Sequence, residues 1–248
     1  EGALQQTNIN TLEVTVQRGT HDAPQDEIFQ VPAYENQTIL DVVSWIQHYA
    51  DPSLTYRFAC RVGMCGSCAM MVNGAPRWAC RTHVNKVLDK NKMHIAPLRN
   101  LPVIKDLAVD MDPFFDKWIQ AEGKHHPTQT RNDPIAPVQP ETAARVEANA
   151  GIECINCSIC YAACDTVAGN PDYLGPAALQ RAWTVFNDAK NESKQVILDA
   201  VSGASGCHNC HSMGSCTHYC PNDLDPMSAI SGLKRETAKA FFKGRTNA

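Results

Sequence analysis

Alternating apolar and polar residues near the start of the chain predict a strand pair. Leu12–Gln17 alternates in this way, as a strand with one buried face does. Ile28–Val31 is a second short strand candidate. The polar Gly19–Gln25 stretch between them predicts the turn region across which the two strands pair.

A helix and a hairpin are predicted next. Thr38 is a suitable helix cap, and apolar residues recur every third or fourth position from there to about Tyr49. Two apolar runs then flank Asn73-Gly74, with a return strand predicted to reach Cys80, which is the pattern of a hairpin with a type I′ turn. Together these elements predict a small mixed sheet packed on one helix.

The second part of the chain is predicted to be mainly helical. Leu101–Gln120 is expected to be a helix interrupted near Pro113, whereas 125–140 contains four prolines and is expected to be a loop. Further helices are predicted over Glu141–Ala150, Pro176–Asp188, Ser193–Val201 and Asp225–Phe242. We therefore predict an α+β chain with a sheet domain over 1–105 and a helical domain over 106–248.

Cysteine usage changes this picture. The 248 residues include 12 cysteines, in three groups of four within 60–80, 154–164 and 207–220. Gaps this short favour metal ligation over disulfides, which usually join distant loops. The formal net charge of −4 and pI of about 6.1 argue against nucleic-acid binding. Since no signal peptide, transit segment or long apolar run is seen, we expect the cytoplasm or an equivalent compartment.

The first cysteine group predicts a 2Fe–2S site. Cys60, Cys65 and Cys68 have the x4, x2 spacing of plant-type ferredoxins, and the hairpin would return Cys80 beside them. Small residues in the loop let the backbone N–H groups approach the sulfurs. A zinc site is the alternative, although its ligands usually come in two close pairs.

The second group predicts a 4Fe–4S site. Cys154, Cys157, Cys160 and Cys164 follow the run of bacterial ferredoxins. In that run three cysteines bind one cluster, and the fourth, one helical turn further on, binds a different cluster.

The third group predicts a 3Fe–4S site because one cysteine is missing from it. Cys210, Cys216 and Cys220 fit the same template, with Met213 at its middle position. A thioether is a poor ligand for the fourth iron, so Cys164, Cys210 and Cys216 are predicted to bind three irons. Cys220 then completes the 4Fe–4S site with Cys154, Cys157 and Cys160. The remaining Cys207 is either a free or buried thiol or a stand-in ligand.

These motifs resemble the iron–sulfur subunits of the succinate dehydrogenase and fumarate reductase family. The segments that carry the resemblance are Arg57–Met71, Val72–Thr82, Ile104–Leu107, Gly151–Asp165, Pro171–Gln180 and Cys210–Pro221. The resemblance implies a β-grasp, plant-type ferredoxin domain followed by an all-α, bacterial-ferredoxin-like domain. It also implies the same cluster ligands that the spacing predicts.

The function implied by this resemblance is electron transfer. Electrons would pass between a flavoprotein subunit that binds FAD and a membrane anchor that binds quinone or haem, with no catalytic residue in this chain. The chain would then be peripheral on the cytoplasmic face of the bacterial inner membrane. Cys157–Cys164 and Asp225-Pro226 favour the fumarate reductase branch, and His211 and Lys234 are candidates for the quinone side.

Two other functions stay open on these residues. One is a zinc-stabilised interaction module, which would be colourless and contain about three zinc ions. The other is the iron–sulfur subunit of a different flavin dehydrogenase.

Overall fold

The computed structural model describes residues 11–244, which divide into two compact units. The first contains residues 11–98 and 102–109, and the second contains 99–101 and 110–244. The boundary predicted after residue 105 falls within the 102–109 segment and stays a prediction. The two units are described separately below.

The first unit is built on a five-stranded mixed sheet with strand order β2-β1-β5-β3-β4. Its strands are β1 (Thr11–Thr20), β2 (Ala23–Pro32), β3 (Ala69–Val72), β4 (Ala75–Trp78) and β5 (Lys92–Ala96). β1 pairs in parallel with β5, whereas its pairing with β2 is antiparallel. The predicted turn region at Gly19–Gln25 is wrong, because Thr20 already pairs with Ala23 and only two residues form the turn.

Helix α1 (Ile39–Trp45) covers one face of this sheet and continues as one π-helical turn to Ala50. Thr38 caps it as predicted: its hydroxyl accepts a hydrogen bond from the Asp41 amide, and the Asp41 carboxylate accepts one from the Thr38 amide. The buried face of α1 joins the sheet residues in one hydrophobic core. The predicted helix and its apolar stripe are thus confirmed.

The Asn73-Gly74 hairpin is also confirmed. Both turn residues have positive φ, 49° and 77°, as a type I′ turn requires. The Asn73 side chain holds the turn to the sheet, because it accepts a hydrogen bond from the His94 amide at 2.7 Å. The return strand ends at Trp78, so Cys80 lies two residues beyond it and not on it.

The predicted helix over Leu101–Gln120 is wrong in its first half. Residues there form two short antiparallel strands, β6 (Val103–Lys105) and β7 (Ala108–Val109). β-branched residues favour extended backbone, and Asp106 between the strands has φ +51°, which no helix accepts. A helix, α2 (Asp112–Gln120), follows with Pro113 in its first turn, where a missing N–H costs nothing.

Asp106 holds the β6–β7 segment to the rest of the first unit. It is 2% exposed and accepts hydrogen bonds from the amides of Gly19, at 2.8 Å, and Thr55, at 2.9 Å. Its Oδ1 also lies 3.1 Å from Arg18 Nε. Arg18 donates a second bond, at 2.6 Å, to Asp51. That bond, with others from Ser53, lowers the pKa of Asp51 from 3.8 to about 2.

Asp106→Asn should destabilise the protein by about 2 kcal/mol, because Arg18 loses one of its three carboxylate partners and an amide NH2 group faces a backbone donor inside a buried site. Urea unfolding measures the loss, and Asp22→Asn, in the exposed β1–β2 turn, is the control. Equal stability of the two variants would contradict the prediction.

For Asp51, whose folded pKa is depressed, the stabilisation is present above pH 3.8 and is lost as the pH falls through about 2.

The second unit is helical in its described residues. Besides α2 it contains α3 (Ala143–Ile152), α4 (Ile159–Ala162), α5 (Asp165–Gly169), α6 (Gly175–Asn187), α7 (Lys194–Ser202), α8 (Ser215–His218) and α9 (Pro226–Phe242). The four longer helices predicted here are confirmed, and so is the loop over 125–140. The short α4, α5 and α8 were not predicted, because four or five residues are too few for a periodic pattern.

Helix α6 is the buried centre of this unit. Nearly all of its residues from Gly175 to Val185 are buried, and α3 and α9 pack against it. At the crossing with α9, a Cβ on Gly232 would come 2.5 Å from the Trp183 ring. Gly232 thereby lets the two helices approach closely. Among residues 11–244 no helix is both long and apolar enough to cross a membrane.

Candidate metal centres

The first cysteine group lies in a loop whose amides converge on sulfur. Cys60 Sγ accepts hydrogen bonds from the amides of Val62 at 3.4 Å, Met64 at 3.2 Å and Cys65 at 3.3 Å. Three loop residues have positive φ, which turns the backbone inward: Arg61, Gly63 and Gly66. Donors held in this way stabilise a thiolate and its metal.

The four cysteines of this group differ in exposure. Cys60 and Cys65 exchange amide–sulfur contacts at 3.3 and 3.5 Å near the surface, whereas Cys68 and Cys80 are both buried. The Ser67 hydroxyl lies 3.1 Å from Cys65 Sγ and lowers the pKa of that thiol to about 6. Burial raises the pKa of Cys68 to about 12. The group therefore has one solvent-facing pair and one buried pair.

Four cysteines line one cavity in the second unit. Cys154, Cys157 and Cys160 come from the α3–α4 connection and α4, and Cys220 follows α8. The walls are largely apolar and include Phe114 from α2.

Burial dominates the electrostatics of this cavity. It raises the pKa of Cys157 to about 12 and that of Cys160 further above its usual value. Neighbouring thiols raise both values again, since each thiolate repels the next. Four thiolates at this place need a compensating positive charge, and metal ions provide one.

A second cavity is lined by Cys164, Cys210 and Cys216. Met213 is part of its wall and is 63% exposed. The Ser212 amide donates a hydrogen bond to Cys210 Sγ at 3.3 Å. This cavity therefore presents three thiols, with a thioether in the stretch between two of them.

Helix α4 connects the two cavities. Cys160 on α4 lines the first cavity, whereas Cys164, just after it, lines the second. The α8 segment mirrors this arrangement, with Cys216 at the second cavity and Cys220 at the first. Among residues 11–244, no three His, Cys, Asp or Glu side chains converge as ligands for one metal ion do.

The remaining candidates lie near the second cavity. Cys207 is fully buried, with its sulfur 3.7 Å from the Thr237 hydroxyl. His211 is exposed at the cavity wall. Lys234 Nζ donates a hydrogen bond to the Cys210 carbonyl at 2.6 Å.

Sequence reasoning missed Tyr173. It is 1% exposed and lines the second cavity together with Cys210. Burial raises the pKa of its hydroxyl, which stays protonated and able to donate. No spacing rule points to this residue; the available signal is an aromatic side chain between two cysteine groups.

Comparison with known proteins agrees with this geometry. A 2Fe-2S iron-sulfur cluster binding domain matches residues 11–116, and a 4Fe-4S dicluster domain matches residues 153–225. The fumarate reductase iron-sulfur subunit of Haemophilus influenzae is 36% identical over 235 residues, which is 88% of each chain. The chain belongs to the fumarate reductase and succinate dehydrogenase iron–sulfur subunit family.

A second curated relative and a solved structure match as well. Iron-sulfur subunit 1 of the mitochondrial succinate dehydrogenase of Oryza sativa is 37% identical over 204 residues, 79% of this chain and 70% of that protein. A chain of the Mycobacterium smegmatis Sdh1 complex in the apo form superposes with a TM-score of 0.84. That match covers 94% of this chain and 98% of the other, and at 21% identity it shows the fold alone.

The family and its domains confirm the predicted fold class. A 2Fe–2S ferredoxin-type domain with a mixed sheet precedes a helical 4Fe–4S domain, as the cysteine spacing and the residue patterns indicated. This member of the iron–sulfur subunit family thus has both kinds of cluster-binding domain.

Proposed function

We propose that the chain carries electrons through three clusters bound by eleven of its cysteines. The 2Fe–2S cluster would be held by Cys60, Cys65, Cys68 and Cys80; the 4Fe–4S cluster by Cys154, Cys157, Cys160 and Cys220; and the 3Fe–4S cluster by Cys164, Cys210 and Cys216. The observation that carries this proposal is the division of seven cysteines between two cavities. One cavity is lined by four thiols, and the other is lined by three thiols and Met213.

The residues present fit these clusters. Thiolates are the usual ligands of iron–sulfur clusters, and both cavities are lined by cysteines whose charged forms burial disfavours until metal is present. When bound, the clusters supply one-electron redox chemistry. The chain's own part is to hold them, to exclude water and to direct amides toward sulfur, as at Cys60.

The proposed partners are an FAD-containing flavoprotein subunit and a membrane anchor with quinone or haem. The names of the relatives support a place in such an assembly. The first cysteine loop has the surface of a docking site: residues 52–88 contain no Asp or Glu, and Arg57, Arg61 and Arg81 are exposed. Val62 and Met64 beside them are 58% and 70% exposed. We infer that an acidic, partly apolar partner surface covers this loop.

The second cavity, with the proposed 3Fe–4S cluster, is proposed to face the membrane anchor. His211 at the wall of the second cavity and Lys234 beside Cys210 are the residues we assign to the quinone side. Association with the anchor would hold the chain on the cytoplasmic face of the bacterial inner membrane. The fumarate reductase relatives support the fumarate reductase branch of the family for this chain.

Iron and sulfide counting combined with EPR tests this proposal. The purified protein should contain about nine irons, the sum of its three clusters. The air-oxidised sample should give a three-iron EPR signal, and the dithionite-reduced sample the signals of the 2Fe–2S and 4Fe–4S clusters. A colourless protein with about three zinc ions would refute electron transfer. An iron protein without the three-iron signal would refute the role assigned to Met213.

A further inference from the structure

Cys164 lies in a break between two short helices of the second unit. Helix α4 ends before it and α5 begins after it, so the last carbonyl groups of α4 have no full set of helical donors. The Tyr161 and Cys164 carbonyls each accept one backbone hydrogen bond, from the amides of Cys164 and Ala168, and each has a second lone pair to share. Such an end needs donors from elsewhere in the protein. Arg99–Leu101, which belongs to the same compact unit, lies against it and provides them.

The Asn100 side chain binds the backbone on both sides of the Cys164 sulfur. Its Nδ2 donates to the carbonyl of Tyr161 at 2.9 Å and to that of Cys164 itself at 3.1 Å. A third carbonyl, of Ala162, is 3.5 Å away. One amide group therefore ties the last turn of α4 to the first carbonyl of α5. This fixes the direction in which the Cys164 side chain projects from the backbone.

Arg99 supports the same segment less firmly. Its Nε donates to the Ala162 carbonyl at 3.3 Å, and its guanidinium pairs with Asp165 at 2.8 Å. Both side chains of that ion pair are about half exposed, so it contributes little. Asn100 is the more buried residue, and it makes the contacts next to the sulfur.

The backbone of Asn100 suits this role. Its φ is +65°, a left-handed conformation that asparagine tolerates and glycine adopts freely. Glycine at this position would keep the backbone path and remove only the amide. The side-chain contribution can therefore be measured by itself.

We propose that Asn100 is a positioning residue for Cys164 and, through it, for the metal centre of the second cavity. This inference rests on the proposed function, in which Cys164, Cys210 and Cys216 bind that centre. Residues that orient a metal ligand commonly change metal affinity by 10- to 100-fold when removed. One hydrogen bond of Asn100 goes to the ligand's own carbonyl, and the others go to residues two and three positions before the ligand.

The test compares Asn100→Gly with Asn36→Gly in the complete protein. Asn36 is likewise left-handed, with φ +60°, and it lies exposed on the first unit. Each variant is titrated with an iron chelator while EPR follows all three clusters. We expect Asn100→Gly to lose the signal of the second-cavity centre at about tenfold lower chelator concentration than wild type. The 2Fe–2S signal should keep its wild-type resistance, and Asn36→Gly should behave as wild type throughout.

A second variant separates hydrogen bonding from packing. Asn100→Asp keeps the shape but directs a carboxylate at three carbonyl oxygens, so its loss should exceed that of Asn100→Gly. Wild-type behaviour of Asn100→Gly, or equal loss of all three clusters, would overturn the proposal. If wild type itself has a four-iron centre in this cavity, the three-iron assignment fails, and the Asn100 comparison is decided on that four-iron signal instead.

Discussion

Met213→Cys is expected to convert the proposed three-iron centre into a four-iron centre. Met213 is part of the wall of the second cavity, between Cys210 and Cys216 along the chain, and a thiolate there would provide the missing fourth ligand. The iron content should rise from about nine to about ten, because one iron is added to one cluster. EPR of the air-oxidised protein should lose its three-iron signal, and the dithionite-reduced protein should gain a second four-iron signal.

Met227→Cys is the matched control for this conversion. Met227 lines the same cavity from α9 but lies outside the cysteine motif. It should leave the three-iron signal intact. Persistence of that signal in Met213→Cys would mean that the cysteine template is misaligned, and conversion by both variants would mean that a thiol anywhere in the wall suffices.

Removing Cys220 and removing Cys216 should abolish different clusters, although the two residues are only four positions apart. Cys220 lines the cavity with Cys154, Cys157 and Cys160, whereas Cys216 lines the cavity with Cys164 and Cys210. Cys220→Ala should therefore lose most of the 4Fe–4S signal, and Cys216→Ala should lose most of the 3Fe–4S signal.

The 2Fe–2S signal is the internal reference for this pair of variants. The cysteines proposed to bind it all lie in the first unit, so its intensity measures how much folded protein each sample contains. The reverse pattern, with Cys216→Ala losing the 4Fe–4S signal, would disprove the proposed exchange of ligands. Loss of the reference signal in both variants would show that these cysteines maintain the whole chain and would remove the basis for separate assignments.

Much of the fold could be predicted because local signals agree with the packing. Thr38 and Asp41 cap α1 through neighbouring atoms, and Asn73-Gly74 adopts a turn that few other pairs favour. The segment after Leu101 was mistaken for helix because its structure depends on a distant partner. Asp106 is held by Gly19 and Thr55, far away in sequence, and no local pattern contains that information.

The cysteine groups were predictable for a related reason. Ligands two to five residues apart are constrained by the loop itself, so spacing indicates which thiols can meet. Asn100 and Tyr173 could not be found in this way, since each is far along the chain from the cysteine beside it. That cysteine is Cys164 for Asn100 and Cys210 for Tyr173. An asparagine at a left-handed position between β5 and β6 is a weak signal, because Asn36 has the same conformation without any such contact at a cysteine.

The exchange of Cys164 and Cys220 between the two cavities has a consequence for how the protein is assembled. Each cavity borrows one thiol from the segment that chiefly builds the other, so the two segments are interlocked. If clusters are inserted one at a time, the first to arrive would immobilise the backbone that carries a ligand of the second. Maturation of the two sites would then be cooperative, and partly loaded chains would be rare. Oxidative loss of one cluster would, for the same reason, loosen its neighbour.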